Sequence, residues 1–106
     1  MFDLLKNLFG NSRNEELQEV LNHGAYLVDV RTPGEFASGS AKGAVNIPLD
    51  KLTAQLAKLK NKEHIVVFCR SGARSAQAKA VLNKNGFSNV INGGTWENVQ
   101  HALKSK

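Results

Sequence analysis

Apolar positions along the chain change period several times, and each change marks an element. Leu17, Val20 and Leu21 recur at helical spacing behind Ser12-Arg13-Asn14-Glu15, which has the spacing of a capping box, and Gly24 supplies a C-terminal stop. Tyr26-Leu27-Val28-Asp29-Val30 reads as a strand. Thr32-Pro33-Gly34-Glu35-Phe36 opens a short helix with Pro33 at its first position. Ala44-Val45-Asn46-Ile47 reads as a second short strand, ended by Pro48. Asp50 is placed to cap a helix whose Leu52, Leu56 and Leu59 share one face. Ile65-Val66-Val67-Phe68 is an unbroken apolar run, the pattern of a strand buried on both faces. Residues 73–82 are rich in strong helix formers, and Asn85-Gly86 ends that helix. Asn89-Val90-Ile91 reads as a short strand, Gly93-Gly94 as a chain break, and a last helix starts near Thr95.

Strands that alternate with helices predict an α/β fold: a single domain with a mostly parallel central sheet and helices on both faces. The domain spans 13–106. Residues 1–12 form an extension in front of it, whose Met1–Phe9 pattern reads as a small amphipathic helix suited to packing on the domain. In open parallel sheets, ligands bind beyond the carboxyl ends of the strands. Arg31 and Cys69 both stand at such ends.

Composition narrows the chemistry. The chain has 106 residues, 42% of them hydrophobic, enough for one packed core. A single cysteine, Cys69, rules out an internal disulfide, a Cys-only metal site and a resolving thiol within the chain. His23, His64 and His101 show no ligand spacing, so neither a metal nor a cofactor is expected. The net charge of +5 is spread along the chain. Lys58, Lys60 and Lys62 form its one tight group, which reads as a solvated helix end rather than a nucleic-acid surface, since no aromatic interleaving accompanies it. The excess still favours small anionic substrates. No stretch is long enough to span a membrane, Asp3 stands where an export signal would carry bases, and a free thiol survives in the cytoplasm, the expected compartment.

The chemistry concentrates in Cys69-Arg70-Ser71-Gly72-Ala73-Arg74-Ser75, between the buried strand and the helix. A cysteine where a strand stops and a helix starts lies near unpaired backbone N–H groups, which favour an anion, including a thiolate. Gly72 permits the turn that aims those groups inward. Arg70 and Arg74 add positive charge. The thiolate is the reactive form of cysteine, so the arrangement suits a nucleophile better than an inert core residue. Asp29 and Arg31 alternate with Val28 and Val30, so they share a face. A structural ion pair, of Arg31 with Glu35 or with Asp29, is favoured over direct catalysis, with Asp29 able to orient the loop from behind. Trp96 and Phe87 read as core.

Three blocks carry a resemblance to a known family. Val28-Asp29-Val30-Arg31 with Glu35-Phe36 is the first, and Gly43-Ala44-Val45-Asn46-Ile47-Pro48-Leu49 the second. The cysteine loop, with Gly93-Gly94 and Trp96 downstream, is the third. In this order the chain resembles the rhodanese (sulfurtransferase) domain in its single-domain form, over roughly residues 13 to 103. It departs at Ser40, where the family often has His, and at Lys42, where Pro is common. A short strand usually precedes the family's first helix, whereas this N-terminus reads as helical.

The resemblance implies that Cys69 attacks the outer sulfur of thiosulfate or a similar small anionic donor, and then passes sulfur from a persulfide to a thiol, cyanide or protein acceptor. Arg70, Ser71, Gly72, Ala73 and Arg74 would bind the donor. Two other classes stay open. Cysteine phosphatases and arsenate reductases use a Cys-x5-Arg loop, but here the arginine comes one residue earlier and Ser75 fills its place. A binding module, or a carrier charged with sulfur by a partner, would use the same fold.

Overall fold

The computed structural model describes residues 12–104. Helix α1 (Ser12–Asn22) leads into strand β1 (Tyr26–Asp29), a short helix α2 (Pro33–Ala37) and strand β2 (Val45–Asn46). A 3₁₀ segment (Leu49–Leu59), strand β3 (Ile65–Cys69), helix α3 (Ala73–Lys84), strand β4 (Val90–Thr95) and helix α4 (Trp96–Lys104) follow. Apart from Ser12, the helical extension expected over 1–12 lies outside the described residues, as do the side chains of Ser12 and Arg13 in the expected capping box.

The four strands pair in the order β2-β1-β3-β4, and every pair is parallel. Strand β3 lies inside the sheet and is buried along its whole length. Side chains alternate across a strand, so the sheet sends two sets of residues into two cores. One face carries Val28, Ile65, Val67 and Val90, packed with Leu52, Leu59, Ala78 and Leu82. The other carries Leu27, Val66 and Phe68, packed with Leu17, Val20, Leu21 and Val99. Burying Phe68 fully contributes about 1.5–3 kcal/mol.

Helix ends follow local chemistry. Gly24, at φ +83°, turns the chain out of α1. Thr32 and Glu35 form a reciprocal capping box around Pro33 at the start of α2. At the end of α3 the Gly86 N–H bonds the Asn83 carbonyl and the Phe87 N–H bonds the Leu82 carbonyl. With Gly86 at φ +92°, this is a Schellman turn, and Phe87 packs on the Leu82 core.

Two expected features differ. Asp50 caps no α-helix: residues 49–59 wind as 3₁₀ helix behind Pro48, with no side-chain cap. The Lys51 N–H closes a tight turn onto the Pro48 carbonyl at 2.8 Å, and Gln55 leaves helical geometry at φ −124°. The segment is thus two 3₁₀ pieces, 49–54 and 56–59, parted at Gln55. Gly93-Gly94 also does not break the chain. Both lie inside β4, where the ladder shifts register opposite Val67 and Phe68. Gly94, at φ +83°, takes the bulge conformation that glycine permits. Gly93 is needed for closeness: a Cβ there would stand 2.7 Å from Val99 Cγ2 and 2.9 Å from Val66 Cγ1.

Those valines are fully buried and β-branched, with little freedom to turn aside. Gly93→Ala should therefore destabilise the fold by about 1–3 kcal/mol. Urea unfolding measures this, and an unchanged midpoint would show that α4 can shift without cost.

Candidate active site

The register of β1 against β3 builds the site. Asp29 pairs with Phe68, and the Val30 N–H bonds the Phe68 carbonyl at 3.0 Å, so both strands finish side by side. Cys69 closes β3 with no exposed surface. The chain then turns through Arg70, Ser71 and Gly72 into α3. Gly72 is the residue before the helix and takes φ +96°, a conformation that disfavours any side chain. That turn points the Gly72 N–H at Cys69 Sγ, at 2.9 Å. The Ser75 hydroxyl lies 3.5 Å from the sulfur. Arg70, Ser71 and Ala73 are exposed on the rim, and the Ser71 hydroxyl accepts from the Ala73 N–H at 3.4 Å.

Burial pushes the Cys69 thiol up. The Ser75 hydroxyl and the N–H groups of Ser75, Gly72 and Ser71 oppose it and prevail, leaving the thiol below its ordinary value. These are the donors that a strand-to-helix turn leaves unpaired.

The two arginines at the site have different partners. Arg31 is buried and bonded to Asp29: its Nη2 lies 2.7 Å from Oδ2, and its Nε 3.0 Å from both carboxylate oxygens. Nη2 also donates to the Gly39 carbonyl at 2.6 Å, and the guanidinium lies 5.5 Å from the Trp96 ring centre. Of the two partners expected for Arg31, Asp29 is the one it takes. Asp29 reaches Arg31 and the Ser40 hydroxyl, and no hydrogen bond joins its side chain to the cysteine loop. Trp96 and Phe87 pack against the two cores as expected.

Arg74 instead forms a bidentate pair with Glu35, at 2.8 and 3.0 Å. Glu35 also accepts from the Thr32 N–H and hydroxyl, at 3.1 and 3.0 Å. The bond from Arg74, then that from Thr32, lowers Glu35 to about 2, so the pair stays charged through the neutral and mildly acid range. Arg74, Arg31 and Thr32 line a hollow of about 230 Å³ with Val30, Pro48, Leu49 and Asp50. It opens at the carboxyl end of the sheet, where open parallel folds bind ligands.

The family model for the rhodanese-like domain matches residues 13–100. The chain belongs to the rhodanese-like domain family. It is similar to a sulfurtransferase of Allochromatium vinosum, 38% identical over 79 residues that cover 73% of this chain and 74% of that protein. It is also 32% identical to the thiosulfate sulfurtransferase PspE of Escherichia coli, over 65% of this chain and 68% of the relative. Among solved structures, a human single-domain sulfurtransferase superposes with a TM-score of 0.64 at 32% identity, covering 79% of this chain and 88% of that one. An E. coli rhodanese described with anions superposes with a TM-score of 0.65 at 30% identity, covering 71% and 91%. These likenesses support a rhodanese-type transferase.

The family departures have local explanations. Ser40, in the place of His, donates to Asp29 Oδ2 at 2.7 Å. Lys42, in the place of Pro, uses its N–H to bond Gln100 Oε1 at 2.9 Å, a contact proline could not make. Among the described residues no helix is long and apolar enough to cross a membrane. His23 and His64 come within 6.1 Å, ring to ring, and no group of three or more His, Cys, Asp or Glu among the described residues is placed to hold a metal ion.

Three residues that the fold brings to the site had been given no role there by the sequence. Ser75 lies on the buried face of α3 with Ala78 and Leu82, a spacing that could have revealed it. Glu35 came into view in the first family block and as a partner for Arg31, but not as the partner of Arg74. Asn92 gave no signal. The N–H donors around the sulfur predict an alkylation midpoint for Cys69 below about 8.5, the value of a free cysteine. Iodoacetamide rates measured against pH check this, and a midpoint at or above that value would show that the loop does not favour the thiolate.

Proposed function

We propose that this protein is a sulfurtransferase that carries sulfane sulfur on Cys69, taking it from thiosulfate or a persulfide donor. The observation that carries the reading is a buried sulfur held 2.9 Å from the Gly72 N–H at the start of α3. In the first half-reaction the Cys69 thiolate attacks the outer sulfur of thiosulfate. A sulfur–sulfur bond forms to Cys69, the bond to the donor's inner sulfur breaks, and sulfite leaves with the electron pair. In the second, a thiol, cyanide or protein nucleophile takes the outer sulfur and Cys69 leaves as thiolate. No general base is required once the thiolate is formed. Cys69 has no exposed surface, so donor and acceptor would approach it over the rim at Arg70, Ser71, Gly72 and Ala73. A lone thiol used this way belongs in a reducing compartment such as the cytoplasm.

The outer sulfur of a persulfide is compact, and a ring of N–H donors closed by four residues between Cys69 and Arg74 suits it. A phosphoryl group brings oxygens that such a ring crowds. Wild-type protein treated with thiosulfate should gain one sulfur by intact mass, and Cys69→Ser should gain none and turn over no thiosulfate while folding normally. Neither form should hydrolyse aryl phosphates appreciably. Efficient phosphatase activity in the wild type, lost in Cys69→Ser, would overturn the sulfurtransferase reading in favour of a cysteine phosphatase.

Arg74 would hold the anionic end of the donor while sharing its guanidinium with Glu35. Losing one charge-assisted contact should raise KM for thiosulfate roughly ten- to a hundredfold in Arg74→Ala, the effect of about 1.5–3 kcal/mol. A neutral persulfide donor should suffer less. Equal losses with both donors would assign Arg74 to the scaffold alone.

A further inference from the structure

Asn92, in β4, reaches across to the cysteine loop from behind. Its Oδ1 accepts from the Gly94 N–H at 2.9 Å, and its Nδ2 donates to the Gly72 carbonyl at 3.3 Å. Both partners are backbone groups of fixed polarity, so the orientation of the amide is determined. The Ser75 hydroxyl stands 2.7 Å from Oδ1. Of these two oxygens only the hydroxyl carries a hydrogen, so Ser75 donates to Asn92.

That hydroxyl has one proton and three places to send it. The Gly72 carbonyl, at 3.1 Å, already accepts from the Ala76 N–H at 3.0 Å and from Asn92. Cys69 Sγ is the third, at 3.5 Å. While the proton lies on Asn92, Ser75 turns a lone pair toward the sulfur. A lone pair suits S–H, which can donate to it, and does not suit S⁻. When Cys69 gives its proton to solvent, the hydroxyl must swing to the sulfur and leave Oδ1 with the Gly94 N–H alone.

We propose that Asn92 is a positioning residue that competes with Cys69 for the Ser75 hydroxyl proton and thereby restrains ionisation of the sulfur. The inference rests on the reading of Cys69 as the sulfur carrier, and it deepens that reading, since a persulfide anion calls for the same rotation. The charged group that couples to the sulfur is Arg74 on α3, with its partner Glu35 on α2, and the Asp29–Arg31 pair stands at the end of the neighbouring strand β1. Asp50 lines the hollow beside Arg74, Glu97 on α4 acts on Arg31, and Arg70 stands on the loop itself. All of these remain in the variants below.

The test is the pH midpoint of Cys69 alkylation by iodoacetamide in the wild type, Asn92→Ala, Ser75→Ala and the double variant. Asn92→Ala frees the hydroxyl for the thiolate, so its midpoint should fall by roughly half a unit to one unit, a three- to tenfold gain in thiolate at pH values below the midpoint. Ser75→Ala should raise the midpoint. In the double variant the effect of Asn92 should vanish and the Ser75→Ala value return. A merely structural Asn92 predicts the opposite sign, because a loosened loop loses its N–H donors and the midpoint rises. A rise or no change in Asn92→Ala, or a fall that persists without Ser75, would overturn the proposal. Thermal unfolding confirms that each variant folds. If Asn92→Ala does not, Asn92→Leu keeps the side-chain volume without polar atoms and must show the same sign. Alkylation requires no sulfur donor, so this outcome is independent of whether thiosulfate is turned over.

Discussion

The site hangs on the immobility of one strand. β3 is flanked by β1 and β4 and buried along its length, so its last residue has no freedom to drift. A cysteine on a loop or a helix surface would move with it. At this position its sulfur is fixed, and only the following turn has to be shaped. Gly72 shapes it through its φ of +96°; a Cβ there would make only ordinary contact, 3.6 Å from the Gly94 Cα, so conformation rather than space calls for glycine. The bulge in β4 and the turn after β3 lie against each other, and each depends on a glycine with positive φ, +96° at Gly72 and +83° at Gly94.

Charge is divided between structure and chemistry by burial. Arg31 and Asp29 are sealed at the end of β1, where each satisfies the other and neighbouring carbonyl and hydroxyl groups complete the set. Such a pair is costly to break from one side, because the remaining charge stays buried and uncompensated. Arg74 and Glu35 meet where side chains are about a third exposed, 35% and 29%. There water can replace a partner, and under the proposed function Arg74 would exchange part of its contact for the donor anion. Two pairs of the same residue classes thus serve as a fixed joint and an adjustable one.

What could be read from the chain was what local pattern encodes. The apolar run before Cys69, the helix formers after it and the glycine between them announce a strand, a turn and a helix, and the cysteine's place follows. Gly93-Gly94 misled because paired glycines signal a turn when only neighbours in sequence are considered. Their actual role depends on Val66 and Val99, which reach Gly93 only through tertiary packing. Asp50 misled for a related reason, since a capping residue cannot convert a segment that Pro48 and Gln55 shape as 3₁₀. Asn92 was invisible: its partners Gly72 and Ser75 lie 20 and 17 residues away in the chain, and no periodicity connects them. Arg74 and Glu35, 39 apart, were each visible but not as a pair.

The long separations have a kinetic side. Every strand pairing here is parallel, so each requires a crossover before its hydrogen bonds can form, and contacts of that kind assemble late and slowly. The donors around Cys69 come from a turn that is aligned only when β1, β3, β4 and α3 are docked. An incomplete or misfolded chain therefore presents an ordinary thiol, and the lowering of the Cys69 thiol below its ordinary value arises together with the finished tertiary structure.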